Sequence, residues 1–188
     1  MTLSPDTRPA WPLETARSRL RFALKFLAAA AALFAIYTFP YREAGLSEVW
    51  FERYLAAYAR VAGVMLAFLE KALGAGADVQ VHGAVIGGRY PLEIVKNCDA
   101  IEINILFTSA VLAFPASLSQ RVWGLALGLP ALVLLNLLRI CTLYFIGVHA
   151  PERFETYHVE VWPLCLVAVT TLLFLAYTSW TQHNVVRA

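Results

Sequence analysis

Cys98 is the first candidate for a reactive residue, because it lies where a polar segment that contains several glycines meets a long apolar run. A thiol at that boundary is predicted to stay in water while the chain after it enters lipid. The exposed N–H groups at the start of a helix carry partial positive charge, which favours the thiolate over the thiol. Asp99 and Glu102, in the same turn, act in the opposite direction. A nucleophilic Cys98 therefore needs a cation from elsewhere in the chain.

Arg139 can supply that cation. It lies well inside an apolar stretch, where an arginine is costly unless it pairs, snorkels or faces water, so a functional role is the default interpretation. On a helix, Asn136 and Thr142 lie three residues to either side of it and form one polar stripe with it. The Arg139 side chain is then predicted to approach Cys98. A structural pair with Glu102 or with a backbone carbonyl is the alternative.

His158 is the candidate acid–base group. It opens the last apolar stretch, and an imidazole there can give or take a proton near neutral pH. The chemistry that this set permits is attack of a thiolate on a carbonyl carbon to give an acyl-enzyme, with His158 protonating the departing amine. Arg139 would stabilise the oxyanion or hold the thiolate. His149 competes with His158, because both lie in one loop, whereas His82 is predicted to be an ordinary surface histidine.

The polar residues around this set are supporting candidates. Asn136 is predicted to orient Arg139 or to contact a neighbouring helix, and a hydrogen bond to a substrate backbone is also consistent with its position. Asp99 and Glu102 are candidates for substrate contact, but solvated carboxylates in the first turn of a helix are the simpler interpretation. Cys98 itself has a plain alternative as a small residue at a helix start.

The chain contains three cysteines, Cys98, Cys141 and Cys165, without a C-x-x-C pair or a regular spacing. Neither a disulfide framework nor a zinc site is therefore indicated. Cys141 is predicted to face away from the polar stripe and Cys165 to lie in mid-span, so both are interpreted as packing residues. A thiol oxidoreductase is disfavoured, because no second cysteine is predicted on the same side of the membrane as Cys98. No metal or organic cofactor is predicted.

Composition decides the class of protein that must position these groups. The 188 residues are 60% hydrophobic and 15% charged, with a mean hydropathy of +0.62, which is typical of an integral membrane protein. Five basic residues precede the end of the first apolar run against two acidic ones, so the N-terminal side is predicted to be cytoplasmic and the run to be a retained anchor. Nothing in the sequence indicates binding to nucleic acid.

The predicted fold is an all-α integral membrane protein with about four transmembrane helices, one interfacial amphipathic helix and a small external β-hairpin or meander. The amphipathic segment 46–73 has Tyr58 and Leu69 on an apolar face and Arg60 and Glu70 on the opposite one. If segment 46–73 were a fifth span, the N-terminal arginines would lie outside the cell, and the preference of basic residues for the cytoplasmic side disfavours that orientation. A single membrane-embedded domain over residues 21–183 is predicted between cytoplasmic tails at 1–20 and 184–188. The predicted spans are 22–39, 100–117, 122–148 and 159–180, and the β segment covers about 74–97.

The three motifs resemble those of the exosortase/archaeosortase family. The matching features are Cys98 between a β-rich segment and an apolar helix, Asn136-Leu-Leu-Arg139-Ile140 within a span, and Tyr157-His158 opening a last span. The resemblance covers roughly residues 60–175, and the length is similar to that of compact members such as the exosortase H type. The family often has a small residue and then glycine after the cysteine, whereas Asp99-Ala100 follows here.

The resemblance implies a sortase-like cysteine transpeptidase or endopeptidase in a bacterial inner membrane, with its active site facing the periplasm. Its implied catalytic residues are Cys98, Arg139 and His158. Its implied partners are precursor proteins that end in a short motif, a membrane helix and basic residues, together with an acceptor nucleophile of unknown identity and membrane lipid. The alternative from another class is a non-catalytic membrane scaffold or small-molecule binding subunit, in which Arg139 and Glu102 form a structural pair.

Overall fold

The computed structural model describes residue 13 and residues 15–38, 46–74, 78–96 and 98–186. Within them the chain forms six α-helices and three short strands. A 3₁₀ turn at Pro151–Arg153 and a π-helical turn at Tyr157–Val161 lie on either side of the shortest helix. The elements are α1 (Ala16–Thr38), α2 (Leu46–Ala72), β1 (Gln80–His82), β2 (Val85–Gly87), β3 (Leu92–Glu93), α3 (Ile101–Ala113), α4 (Leu118–His149), α5 (Phe154–Thr156) and α6 (Trp162–Val186).

Three helical segments within the described residues are long and apolar enough to cross a membrane: Ala16–Thr38, Leu118–His149 and Pro151–His183. The predicted α-helical membrane protein is confirmed, but the predicted number of four spans is not. The predicted span 100–117 forms only α3, whose 13 residues extend about 20 Å, less than the roughly 30 Å of a hydrocarbon core. The helix stops at Phe114, whose extended backbone (ψ 137°) is the conformation favoured before proline.

The terminal helices extend into the segments predicted as tails. The Thr15 hydroxyl accepts a hydrogen bond from the backbone N–H of Ser18 at 3.1 Å, and this N-cap lets α1 begin at Ala16. At the other end, α6 continues to Val186. Parts of the predicted segments lie outside the described residues. They are residues 1–12, 14 and 187–188 of the predicted tails, residue 39 of the first predicted span, and residues 75–77 and 97 of the predicted β segment.

The helix α2 has one buried face, as its amphipathic pattern predicted, but the prediction placed one residue wrongly. Leu55, Tyr58, Ala62 and Leu66 are buried in the main hydrophobic core, which α2 shares with α4 and the sheet. Glu70, assigned to the polar face from the sequence, is completely buried. The helical spacing identified the face of α2 that carries Glu70. That face was predicted to be exposed to solvent, but the sheet and α4 cover it at Glu70.

The predicted β element is a three-stranded antiparallel meander in the order β1-β2-β3. Val81 pairs with Ile86, and Ile86 pairs with Leu92. The Ile86 side chain is fully buried against the helices. The sheet therefore marks one end of the helix bundle, here called the sheet end, while the loop between α3 and α4 marks the opposite end.

A buried polar contact holds the sheet on the helices. The Tyr144 hydroxyl in α4 donates a hydrogen bond to Glu70 Oε1 of α2 at 2.9 Å and accepts one from the backbone N–H of Arg89, after β2, at 3.2 Å. Arg89 Nε lies 3.7 Å from the same Glu70 oxygen. One buried tyrosine thus connects α2, α4 and the chain that leaves β2.

This contact predicts the effect of Tyr144→Phe. Removing the hydroxyl leaves the buried Glu70 carboxylate and the Arg89 N–H without their partner, which should lower the free energy of unfolding by about 1–3 kcal/mol. Tyr177→Phe is the matched control, because the buried Tyr177 hydroxyl has no hydrogen-bond partner among the described residues. Thermal unfolding in detergent should show the loss in Tyr144→Phe and little change in Tyr177→Phe. Equal losses in the two variants would contradict the assignment.

Candidate active site

A cavity of about 470 Å³ at the sheet end of the bundle contains Cys98, Arg139 and His158 in its lining. Cys98 lies directly before α3, Arg139 lies within α4, and His158 lies in the π-helical turn before α6. Three separate elements therefore bring a thiol, a guanidinium and an imidazole to one space. Asp99 and Glu102 also line this cavity, so both supporting carboxylates named from the sequence lie there with the three principal groups.

Asn136 fixes the backbone at Cys98. Its side-chain Nδ2 donates to the carbonyl oxygen of Cys98 at 2.6 Å and to the Tyr58 hydroxyl at 2.9 Å. Asn136 is completely buried, where an amide that kept no partner would be costly. The contact with Tyr58 of α2 is a contact with a neighbouring helix, one of the two roles predicted for Asn136. Among the described residues no hydrogen bond joins Asn136 to Arg139, the other predicted role.

The backbone turns sharply between Cys98 and α3. Ala100 has a φ of 57°, a left-handed conformation that costs an L-residue roughly 1–2 kcal/mol and that glycine adopts freely. This is the second position after the cysteine, where the family resemblance leads one to expect glycine. Asp99 supports the turn, because its Oδ1 accepts the backbone N–H of Ile101 at 3.2 Å. Ala100 therefore takes the backbone conformation that glycine favours.

Asp99 is buried, and its interpretation as a solvated carboxylate is wrong. Only 1% of its surface is exposed, and its Oδ2 has no hydrogen-bond partner among the described residues. Loss of hydration raises the pKa of the Asp99 carboxyl above its ordinary value of 3.8, although the hydrogen bond from the Ile101 N–H acts in the opposite direction. Glu102, one turn along, is exposed as predicted.

Arg139 is 6% exposed, and its Nε has no hydrogen-bond partner within the described part of the chain. Arg139 and Glu102, both described, form no ion pair within 4.0 Å, so the structural pair considered from the sequence is not formed. The third residue of the predicted polar stripe has a different role, because the Thr142 hydroxyl donates to the backbone carbonyl of Arg139 at 2.9 Å. The guanidinium therefore faces the cavity, and no carboxylate of a described residue lies within 4.0 Å of it.

The structure separates His158 from its competitors. His158 is half-buried and lines the cavity, whereas His149 and His82 are exposed and do not. Of the other two cysteines, Cys141 is buried in the core and Cys165 lies on a different apolar groove between α4 and α6. Among the described residues no group of three potential ligand side chains could hold a metal ion.

Two residues near the cavity were not recognised as site residues from the sequence. The sequence places Tyr58 on the apolar face of the segment 46–73, but its hydroxyl accepts the hydrogen bond from Asn136, 78 positions away. Lys96 lines the cavity beside Cys98, and its ammonium lies 5.1 Å from the centre of the Tyr37 ring in α1. Local sequence carries no signal for the Tyr58 contact, whereas Lys96 could have been named from its position two residues before Cys98.

The fold and the cavity together define a class: helical membrane proteins that hold a thiol, a guanidinium and an imidazole in one space at an end of the bundle. The family model described as transmembrane exosortase matches residues 22–176, which is most of the chain. The chain belongs to the transmembrane exosortase family, as the resemblance of its motifs indicated. No curated protein and no solved structure gives a significant match.

Burial of Asp99 predicts a pH dependence of stability. Because the folded-state pKa lies above 3.8, the contribution of Asp99 to stability is fully present below that value and is lost as the pH rises through the folded-state pKa. Asp99→Asn keeps an acceptor for Ile101 and stays neutral, so its stability relative to the unchanged protein should rise as the pH increases from 3.8 through the folded-state pKa of Asp99. Unfolding in detergent at several pH values measures this.

Glu102→Gln is the control for that experiment, since it makes the same chemical change at an exposed carboxylate of the same cavity. Its effect on stability should not grow with pH. A stability difference between Asp99→Asn and the unchanged protein that is flat with pH would contradict the buried position of Asp99.

Proposed function

We propose that the protein is a sortase-like membrane cysteine transpeptidase or endopeptidase that cleaves C-terminal sorting signals of membrane-anchored precursors. The observation that carries the proposal is the shared cavity of Cys98, Arg139 and His158. Membership of the transmembrane exosortase family supports it. A scaffold role is less well supported, because its defining pair between Arg139 and Glu102 is not formed.

The proposed reaction begins with the Cys98 thiolate attacking the carbonyl carbon of the scissile peptide bond. The carbonyl oxygen becomes an oxyanion, which the Arg139 guanidinium stabilises. Collapse of this intermediate breaks the C–N bond, and His158 gives a proton to the departing nitrogen. The product is a thioester between Cys98 and the new carboxyl end of the precursor.

The second half of the reaction releases the thioester. An acceptor nucleophile, or water, loses its proton to His158 as it attacks the thioester carbon, and the Cys98 thiolate leaves. Transfer and hydrolysis differ only in the nucleophile that enters the cavity. Each cycle returns the thiolate and the protonated imidazole to their starting forms.

The walls of the cavity fit a chain that passes from water into lipid. The lining combines apolar side chains of the π-helical turn (Val159), α6 (Leu166, Val167) and α3 (Ile103) with the polar groups of Lys96, Asp99 and Glu102. A precursor with a polar motif followed by a membrane helix has a polar segment and an apolar segment, which match these two kinds of lining side chain. We place the cavity on the periplasmic side of a bacterial inner membrane, because the basic residues before and within α1 favour a cytoplasmic N-terminus.

Cys98→Ala tests the nucleophile. The substrate is an epitope-tagged precursor from the same genome that ends in a short motif, a membrane helix and basic residues, and the measurement is its conversion in membranes containing the enzyme. Cys98→Ala should lower processing by roughly 10³-fold or more, as expected for loss of a covalent nucleophile.

Cys141→Ala and Cys165→Ala are matched controls for this test, because they remove thiols that do not line the cavity. Neither substitution should abolish processing. The proposed function is wrong if Cys98→Ala is folded and still processes precursors at the normal rate.

Arg139→Lys tests the guanidinium. Lysine keeps the positive charge but loses the planar group of five donors, so we expect a fall of about 10²-fold in the processing rate, the scale seen when one oxyanion donor is lost. Arg153→Lys, at an exposed site, makes the same change outside the cavity and should leave the rate unaltered. An Arg139→Lys variant with full activity would exclude planar recognition of the oxyanion.

A further inference from the structure

Within the described part of the chain, His158 lacks the carboxylate contact at Nδ1 that usually orients a catalytic histidine. Its Nδ1 is buried and has no hydrogen-bond partner among the described residues. In hydrolases with a Ser-His-Asp arrangement, a carboxylate on this nitrogen fixes the ring orientation. Another contact must restrict the ring of His158 if the ring is to keep one orientation for both proton transfers.

The contact that the structure shows is an aromatic one. The Phe154 ring stacks on the His158 imidazole with centroids 5.6 Å apart and an interplanar angle of 27°. Phe154 begins α5, four residues before His158, so both side chains project from one face of adjoining helical turns. The π-helical turn at Tyr157–Val161 adds a residue to the second turn, a distortion that often occurs at functional sites.

Phe154 is in turn held by Tyr90. The two rings have centroids 5.3 Å apart at an angle of 41°. The Tyr90 ring lies directly over Gly147 of α4, where a Cβ atom would overlap it. The absence of a side chain at residue 147 therefore makes the space in which Tyr90 supports Phe154.

The backbone that carries Tyr90 is fixed by the buried contact described above. Arg89, its neighbour, donates its N–H to Tyr144, which binds the buried Glu70. Gly88, before Arg89, has a φ of +149°, and a Cβ there would collide with the Tyr144 hydroxyl. The segment 88–90 is thus locked to α2 and α4 on one side and presents Tyr90 to Phe154 on the other.

We infer that Phe154, supported by Tyr90, is a positioning residue that orients the His158 imidazole for proton transfer, and that the small sheet serves the site by fixing Tyr90. The inference rests on the proposed function. The order of contacts is Tyr144, the 88–90 segment, Tyr90, Phe154 and His158. Stacking replaces a hydrogen bond to Nδ1 as the restraint on the imidazole ring.

Phe154→Leu is the main test, because it keeps an apolar side chain of similar size and removes the flat ring. Single-turnover processing of the tagged precursor in proteoliposomes should slow by about 10- to 100-fold, the scale for a misplaced reacting group. The precursor concentration giving half-maximal rate should stay within about threefold, since precursor binding does not use Phe154. Phe154→Tyr keeps the ring and should restore the rate.

Phe174→Leu is the matched control. Phe174 also lies in an aromatic cluster, with Phe114 and Tyr177, but it does not line the cavity. This variant should change thermal stability without slowing processing. If Phe154→Leu acts only by loosening the fold, the two variants will show equal rates per folded molecule, and the inference is wrong.

Tyr90→Leu tests the next contact and gives a second measurement if Phe154→Leu does not fold. It should slow processing in the same direction, and the double variant should be no slower than Phe154→Leu alone, because both act through one ring. Effects that multiply in the double variant would contradict the chain of contacts.

A measurement without substrate separates this inference from the proposed function. In protein labelled at histidine, the His158 ring resonance, assigned by its loss in His158→Gln, should shift in Phe154→Leu and Tyr90→Leu and not in Phe174→Leu. Resonances unmoved in both variants would overturn the stacking. Normal processing by Cys98→Ala would overturn the proposed function, whereas a fully active Phe154→Leu beside an inactive Cys98→Ala overturns only the positioning role.

Discussion

The hydrogen bond from Asn136 to the carbonyl oxygen of Cys98, at 2.6 Å, decides the geometry of the candidate site. Asn136 lies one helical turn before Arg139 on α4. Fixing the Cys98 backbone on Asn136 therefore also fixes the thiol near the level of the guanidinium. The same amide holds Tyr58 of α2. One buried side chain thus sets the relative positions of α2, α4 and the start of α3, and it gains both partners where water cannot replace them.

The short helix α3 and the sheet serve this arrangement in different ways. Because α3 has only 13 residues, its first turn begins below the end of the longer α4, and Cys98 enters a recess instead of the outer surface. Asp99 lines that recess and is 1% exposed. The sheet acts from the other side: Glu70 and Tyr144 hold it in place, and Tyr90 in the loop between β2 and β3 packs on Phe154 of α5, which contacts His158. Cys98, the proposed nucleophile, is held through a hydrogen bond to its backbone carbonyl, and the His158 imidazole contacts the Phe154 ring.

Much of the architecture could be predicted because it depends on properties of short segments. Apolar length predicted the membrane helices, and β-favouring residues between glycines predicted the meander. Two predictions failed where neighbours alter a local pattern. Glu70 has the spacing of a solvent-facing residue but is covered by the sheet, and Asp99 has the position of a hydrated first-turn carboxylate but is enclosed. The predicted span 100–117 failed for a local reason, because the extended Phe114 before Pro115 ends α3 at Ala113.

By itself, the sequence determined that this is a helical membrane protein and which thiol, guanidinium and imidazole are its reactive candidates, since hydropathy and side-chain chemistry belong to single residues and short windows. Only the tertiary structure decided what those groups touch. Asn136 binds residues 38 and 78 positions away, and Phe154 contacts a tyrosine from the loop between β2 and β3. Such contacts depend on how the helices pack and on where each helix ends. The periodicity of the sequence predicts neither how the helices pack nor where each helix ends. Only the packed structure therefore shows how Cys98 and His158 are held.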